Sequence, residues 1–157
     1  MTSRDELTAL RPGAAVRVMG DEFLIERTIR CEQHDGAVWW EHRLSSDGAG
    51  RSLWLEIPVE ADDPVVIHES TGTLGSAPDG GAEIEYQGER MALLLSGRAS
   101  YRSVERSAAA PKSGELVYLE YASGDRRVSY ELRGEGRVWE VSEGRAIDEA
   151  SIEVTAG

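Results

Sequence analysis

The sequence predicts an all-β fold, built from two diverged strand-rich repeats behind a short N-terminal helix. Three observations lead to it. From Gly13 onward apolar residues alternate with polar ones, and no helix-length amphipathic run follows Leu10. Clusters of Gly, Pro, Asp and Ser interrupt the chain about every 8–12 residues, the spacing of a strand-and-turn protein. After residue 81 the pattern begins again.

The helix comes first, within residues 1–10. Ser3 and Glu6 have the spacing of a capping box, Leu7 and Leu10 share a face, and Pro12-Gly13 ends the run. Such a short helix serves as a plug over one end of the β core. Then Val16 and Val18 alternate with Arg17, Gly20-Asp21 makes a two-residue turn, and Phe23 and Ile25 alternate on the return strand. Further strands are expected near residues 37–45, 52–57 and 64–69, with loops at Gln33 to Gly36, Ser45 to Gly50 and Glu60 to Asp63. This first repeat spans residues 11–69, and the Gly-, Ser- and Pro-rich stretch 70–81 reads as a linker.

The second repeat spans residues 82–157. Val16 to Ile25 aligns without a gap on Ile84 to Leu93, and the turn glycines coincide at Gly20 and Gly88. Trp39-Trp40-Glu41-His42 then corresponds to Tyr118-Leu119-Glu120-Tyr121, and Leu53-Trp54-Leu55-Glu56 to Val128-Ser129-Tyr130-Glu131. Ser70-Thr71-Gly72 corresponds to Ser142-Glu143-Gly144, in the same order. One such repeat alone leaves a large apolar face wet, so the two are expected to share one compact domain. The expected architecture is a pseudo-two-fold β-sandwich or a pair of small open barrels. Ala108 to Gly114 reads as a loop inserted into the second repeat.

The composition narrows the function classes. A net charge of −12 repels phosphate backbones and anionic lipid, so no nucleic-acid partner is expected. The same field favours basic proteins, metal cations or polyamines as partners. No apolar run approaches the roughly 20 residues that span a bilayer, so direct membrane insertion is not expected. Cys31 is the one cysteine and has no partner for an internal disulfide. With no apolar leader pattern in Met1 to Leu10, the reading is a soluble cytoplasmic protein.

Enzymatic motifs are absent from the sequence: there is no nucleophile elbow and no phosphate-binding loop. The three histidines, His34, His42 and His68, are scattered, so no metal site and no cofactor is assigned. Cys31 reads as a small buried residue and His34 as a loop residue. The informative constellation is the repeated aromatic-x-Glu. In a strand, residues two apart share a face, so Trp39 and Glu41 look one way and Trp40, His42 and Leu44 the other. Tyr118 and Glu120 repeat this. Around a pseudo-two-fold axis, Trp39, Glu41, Tyr118 and Glu120 would form a cradle for a cationic small ligand. Alternatively, each glutamate pairs with an arginine such as Arg43 on the solvent face. Trp54 and Trp139 are candidates for a protein-binding surface, or else core anchors.

Pro12-Gly13 leading into Val-x-Val and a Gly turn, Trp39-x-Glu41-His42-x-Leu44, and Trp54-Leu55 with the Tyr118-x-Glu120-Tyr121 echo together carry a family resemblance. Over about Leu10 to Gly144 the chain resembles the bacterial family called domain of unknown function 4178, with His42 where that pattern has tyrosine. The family has no established activity. The resemblance implies an accessory role near membrane-stress and polyamine functions. The leading expectation is a non-enzymatic interaction module with a protein partner in a stress or envelope-associated assembly. The alternative is a sensor binding a polyamine or divalent cation, and an enzyme of unknown class comes third.

Overall fold

The computed structural model describes residues 3–45, 53–76, 78, 80–104, 113–134, 136 and 138–156. The chain opens with helix α1 (Arg4–Thr8). Ser3 Oγ accepts from Glu6 N at 3.2 Å while Glu6 Oε1 accepts from Ser3 N at 3.3 Å, the capping box expected from the sequence. Five residues do not make a stable helix alone. Leu7 and Leu10 bury it, and the Arg4 guanidinium holds it by donating to the carbonyls of Pro58, Glu60 and Asp63 and pairing with Glu149.

Among the described residues eleven strands follow, hydrogen-bonded into one sheet. The first five are β1 (Ala15–Val18), β2 (Asp21–Gln33), β3 (Val38–Ser45), β4 (Leu53–Pro58) and β5 (Val65–Leu74). The next five are β6 (Glu83–Tyr86), β7 (Glu89–Val104), β8 (Ser113–Ser123), β9 (Arg126–Arg133) and β10 (Trp139–Ile147). A 3-10 turn at Glu149–Ser151 leads into β11 (Ile152–Ala156). The β1–β2 turn sits one residue earlier than the sequence suggests. Met19 and Gly20 both have positive φ, at 49° and 90°. That is a type I′ turn, whose twist suits a two-residue hairpin. Gln87 (51°) and Gly88 (80°) make the same turn between β6 and β7. β5 continues to Leu74, into the stretch read as a linker. The loops expected at Ser45 to Gly50 and Ala108 to Gly114 lie largely outside the described residues.

The sheet order is β11-β1-β2-β3-β4-β5-β10-β9-β8-β7-β6, and β2 also pairs with β7. That last pairing, Thr28–Gln33 against Ala99–Val104, closes β2-β3-β4-β5-β10-β9-β8-β7 into an eight-stranded barrel. One closed barrel therefore stands in place of the expected sandwich or pair of open barrels. Closure is possible because β2 and β7 bend. Each breaks register once, between Ile25 and Arg27 and between Leu93 and Leu95. Such irregularities turn a strand out of plane. The first part of each long strand pairs with its short partner outside the ring, and the second part enters the ring.

Three clusters fill the molecule. The first lies outside the ring, where α1, β1 and β11 cover β3 to β5: Leu7, Val16, Ile25, Leu44, Leu55 and Ile152 are its centre. In the second, Met91, Tyr121, Val128, Tyr130 and Val141 are covered by Ile84 and Tyr86 of β6. The third is inside the ring: Ile29, Cys31, Ala99 and Leu116, with Trp39, Trp54, Tyr101 and Tyr118 packed on them. Every strand of the ring is thus covered on its outer face by apolar packing or turned to solvent, while its other face meets the opposite wall.

Candidate functional site

Side chains on strands that are not neighbours in the sheet meet across the lumen. Trp39 of β3 stands edge-on to Tyr118 of β8, centroids 5.5 Å apart, and the Tyr118 hydroxyl donates to Gln33 Oε1 at 2.6 Å. Burial, then the nearby charges of Asp35 and Glu120, pushes Tyr118 up to about 12, so it remains a neutral donor. Cys31 donates to Glu41 Oε2 at 3.2 Å. Burial and the Glu41 charge hold this thiol well above its usual range. The period-two reading of β3 gives the right faces. Trp39 and Glu41 look into the lumen, while Trp40 and Leu44 join the first outer core. His42 is fully buried there, bonded to Thr28 Oγ1 and, through Nε2, to the carbonyl of Leu7 at 3.1 Å. Burial drops its pKa to about 4, which makes it a neutral structural group.

Glu41 and Glu120 are each 8% exposed. They have company that the sequence reading did not single out. Glu41, Trp54, Glu56, His68, Ser129, Glu131, Arg133, Glu140 and Ser142 line one cavity of about 40 Å³. Arg133 binds Glu131 Oε1 through Nε at 2.6 Å, lies 3.8 Å from Glu41, and stacks 5.6 Å from the Trp54 ring. Arg127 approaches Glu120 at 3.6 Å. Arg43, the partner considered for Glu41, instead lies 3.5 Å from Glu26.

The tightest group is Glu56, His68 and Glu120. These three come from β4, β5 and β8, and one ligand atom of each lies within 4.8 Å of the others. His68 Nε2 is 3.7 Å from Glu56 Oε1. His68 is 5% exposed, and among the described residues its Nδ1 has no hydrogen-bond partner; nor has Ser129 Oγ on the cavity wall. Gly144 makes room for the ring: a Cβ there would lie 2.7 Å from His68 Nδ1 and 2.9 Å from the Ile67 carbonyl. Burial acts to lower the His68 pKa, but contact with Glu56 and the charges of Glu120 and Glu41 outweigh it and raise it to about 9. Burial and the Glu56 charge raise Glu120 to about 7, against His68 and Arg127. Burial and Glu41 likewise raise Glu131 to about 7, against Arg133. The lumen thus concentrates acids beyond what its own cations neutralise.

The remaining candidates fall elsewhere. Trp54 is on the lumen wall and Trp139 packs on the second outer core, both half-buried. His34 is exposed beside Glu115, well apart from Cys31 in environment. Glu56 and Glu131 did carry a signal. In the repeat alignment expected from the sequence they occupy corresponding positions, two residues beyond Trp54 and Ser129. His68 carried none, because its neighbours in space are far away in sequence.

The chain belongs to the family described as Domain of unknown function (DUF4178), whose model matches residues 11–149. No curated protein and no solved structure is matched.

Proposed function

We propose that this protein is a non-enzymatic binding module whose barrel lumen takes up a divalent metal cation through Glu56, His68 and Glu120. The observation that carries the reading is the convergence of those three ligand atoms, within 4.8 Å, on a buried wall where Ser129 Oγ lacks a partner among the described residues. Buried polar atoms left unpaired call for a water or ion. Ligand bonds of about 2.0–2.2 Å require donors roughly 3–4 Å apart, so the separations need to close by about 1–2 Å at most. One imidazole with two carboxylates suits zinc, manganese or ferrous iron better than magnesium. Size favours this over a polyamine. A cavity of about 40 Å³ has room for an ion and a water, not for a flexible chain of ten or more atoms.

The two halves support the same reading as diverged repeats around a pseudo-two-fold axis. The matching I′ turns, the matching register breaks in β2 and β7, and the ring order all favour it. Under that alignment Glu41 corresponds to Glu120, Glu56 to Glu131, and Pro58 to Arg133. One half then holds a built-in guanidinium against its acids, and the other has proline at that position. A docking surface built on Trp54 and Trp139 has less support, because neither is fully exposed. Protein partners remain compatible with a metal-loaded module.

The test is thermal melting and calorimetric titration with zinc, manganese, calcium and spermidine, at pH 6.5 and pH 8.5. Zinc or manganese at about 100 times its dissociation constant adds roughly 2.7 kcal/mol, several degrees in melting temperature. Binding displaces protons from His68 and Glu120, so affinity is higher at pH 8.5. Glu56→Gln and His68→Asn each weaken it by at least about tenfold. A melting curve unmoved by any of the metals, or equal affinity in both variants, refutes the reading.

A further inference from the structure

A second pocket, of about 340 Å³, opens at the rim of the barrel beside the acidic lumen, and its chemistry has the opposite sign. Arg27, Arg43 and Arg133 line it together with Trp54, Tyr101 and Glu140. In a chain of net charge −12, three guanidinium groups on one concavity run against the average field. Two of them, Arg27 and Arg43, are direct cross-strand partners in β2 and β3. Like charges placed opposite one another on a sheet are destabilising. Among the described residues little offsets that pair. Arg43 has Glu26 at 3.5 Å, both sides being well exposed to solvent, and such a contact contributes at most about 1 kcal/mol. Arg27, on the pocket wall, has no hydrogen bond or ion pair among the described residues. Glu140, the one acid lining the pocket, is held by Ser70 Oγ at 2.5 Å.

We propose that this pocket binds a small organic oxyanion with a flat body. Arg27 and Arg43 supply a paired set of forked donors of the kind that recognises carboxylate or phosphate. Trp54 and Tyr101 supply the apolar walls. They lie 5.6 and 5.5 Å from the Arg133 guanidinium, which is already committed to Glu131 and Glu41 and so braces the walls. The volume lies at the lower end of the range for small-molecule sites and leaves room for one ring and its charged group. This inference does not depend on the metal reading, since Glu56, His68 and Glu120 take no part in it.

The test uses the full chain, with and without zinc, titrated with phenyl phosphate, benzoate and inorganic phosphate by calorimetry and tryptophan fluorescence. Phenyl phosphate or benzoate binds saturably at millimolar concentration or below, and more tightly than inorganic phosphate; which of the two binds better identifies the headgroup. Arg27→Gln and Arg43→Gln each weaken that binding about tenfold or more, as expected for losing a charged hydrogen bond. Arg102→Gln, an exposed arginine outside the pocket, leaves it unchanged. Both pocket variants relieve a like-charged pair, and circular dichroism confirms that they are folded. Absence of saturable binding for both aromatic anions, or equal affinity in Arg27→Gln and Arg102→Gln, overturns the proposal.

Discussion

His68 is the residue on which the lumen's electrostatics turn. It stands between carboxylates in a place water barely reaches, so its proton is held far more tightly folded than unfolded. The sign follows directly. A histidine raised from 6.5 to about 9 contributes stability that is complete below pH 6.5 and lost as pH rises through 9. Glu120 and Glu131, raised from 4.5 to about 7, act in the same direction between those values. His42, lowered to about 4, acts in the opposite direction, but only below pH 6.5. Metal-free protein therefore loses stability between pH 6.5 and 9, by on the order of 2–3 kcal/mol. Urea unfolding across that range measures it, and His68→Gln flattens the slope. A wild-type slope that matches the variant's would mean that the imidazole is not charged in the folded protein.

At the scale of the element, the hairpins matter most, because each delivers a long strand to the ring. Gly20 and Gly88 hold φ of +90° and +80° with open space around them, so their requirement is for backbone freedom alone. Gly88→Ala is expected to cost about 1–2 kcal/mol in chemical denaturation, whereas Gly75→Ala, also in open space but without that φ, is close to neutral. Equal costs at the two positions would contradict the turn assignment. These elements were largely legible in advance: the capping box, the Val16/Val18 alternation and the gapless match of Val16–Ile25 on Ile84–Leu93 are local features. What an alternating strand does not reveal is which face is wet. For Glu41 the sequence leaves an inward cradle and a solvent-face pairing both open; in the structure the charged face of β3 and β4 turns inward and the apolar one is covered from outside. The inward placement of Glu56 and Glu131 was hidden for that reason.

For the whole molecule the decisive pairings are β2 with β7 and β5 with β10. They join residues far apart in the chain, and no local pattern encodes them, which is why closure was not legible. They also join the halves, since both outer strands of each four-stranded meander have one of their ring neighbours in the other half. Residues 1–81 or 82–157 expressed alone are expected to remain unfolded. The intact chain melts in one transition seen alike by circular dichroism and tryptophan fluorescence. The tryptophans make that comparison strict: Trp40 reports on the first outer core, Trp139 on the second, and Trp39 and Trp54 on the lumen. Two separated transitions would mean that the halves hold together independently.

The ring also decides where aggregation can begin. Within the described sheet, only β6 and β11 have a free side. They are four and five residues long, and β6 carries Glu83 and Glu85, so each makes a poor template for another chain. The long strands β2 and β7, of 13 and 16 residues, would be far better templates, and in the native state they occupy each other. Fibril-forming liability therefore lies in the opened ring and not in the native surface. The backbone pairing that holds the ring shut therefore also protects the protein from its own kind.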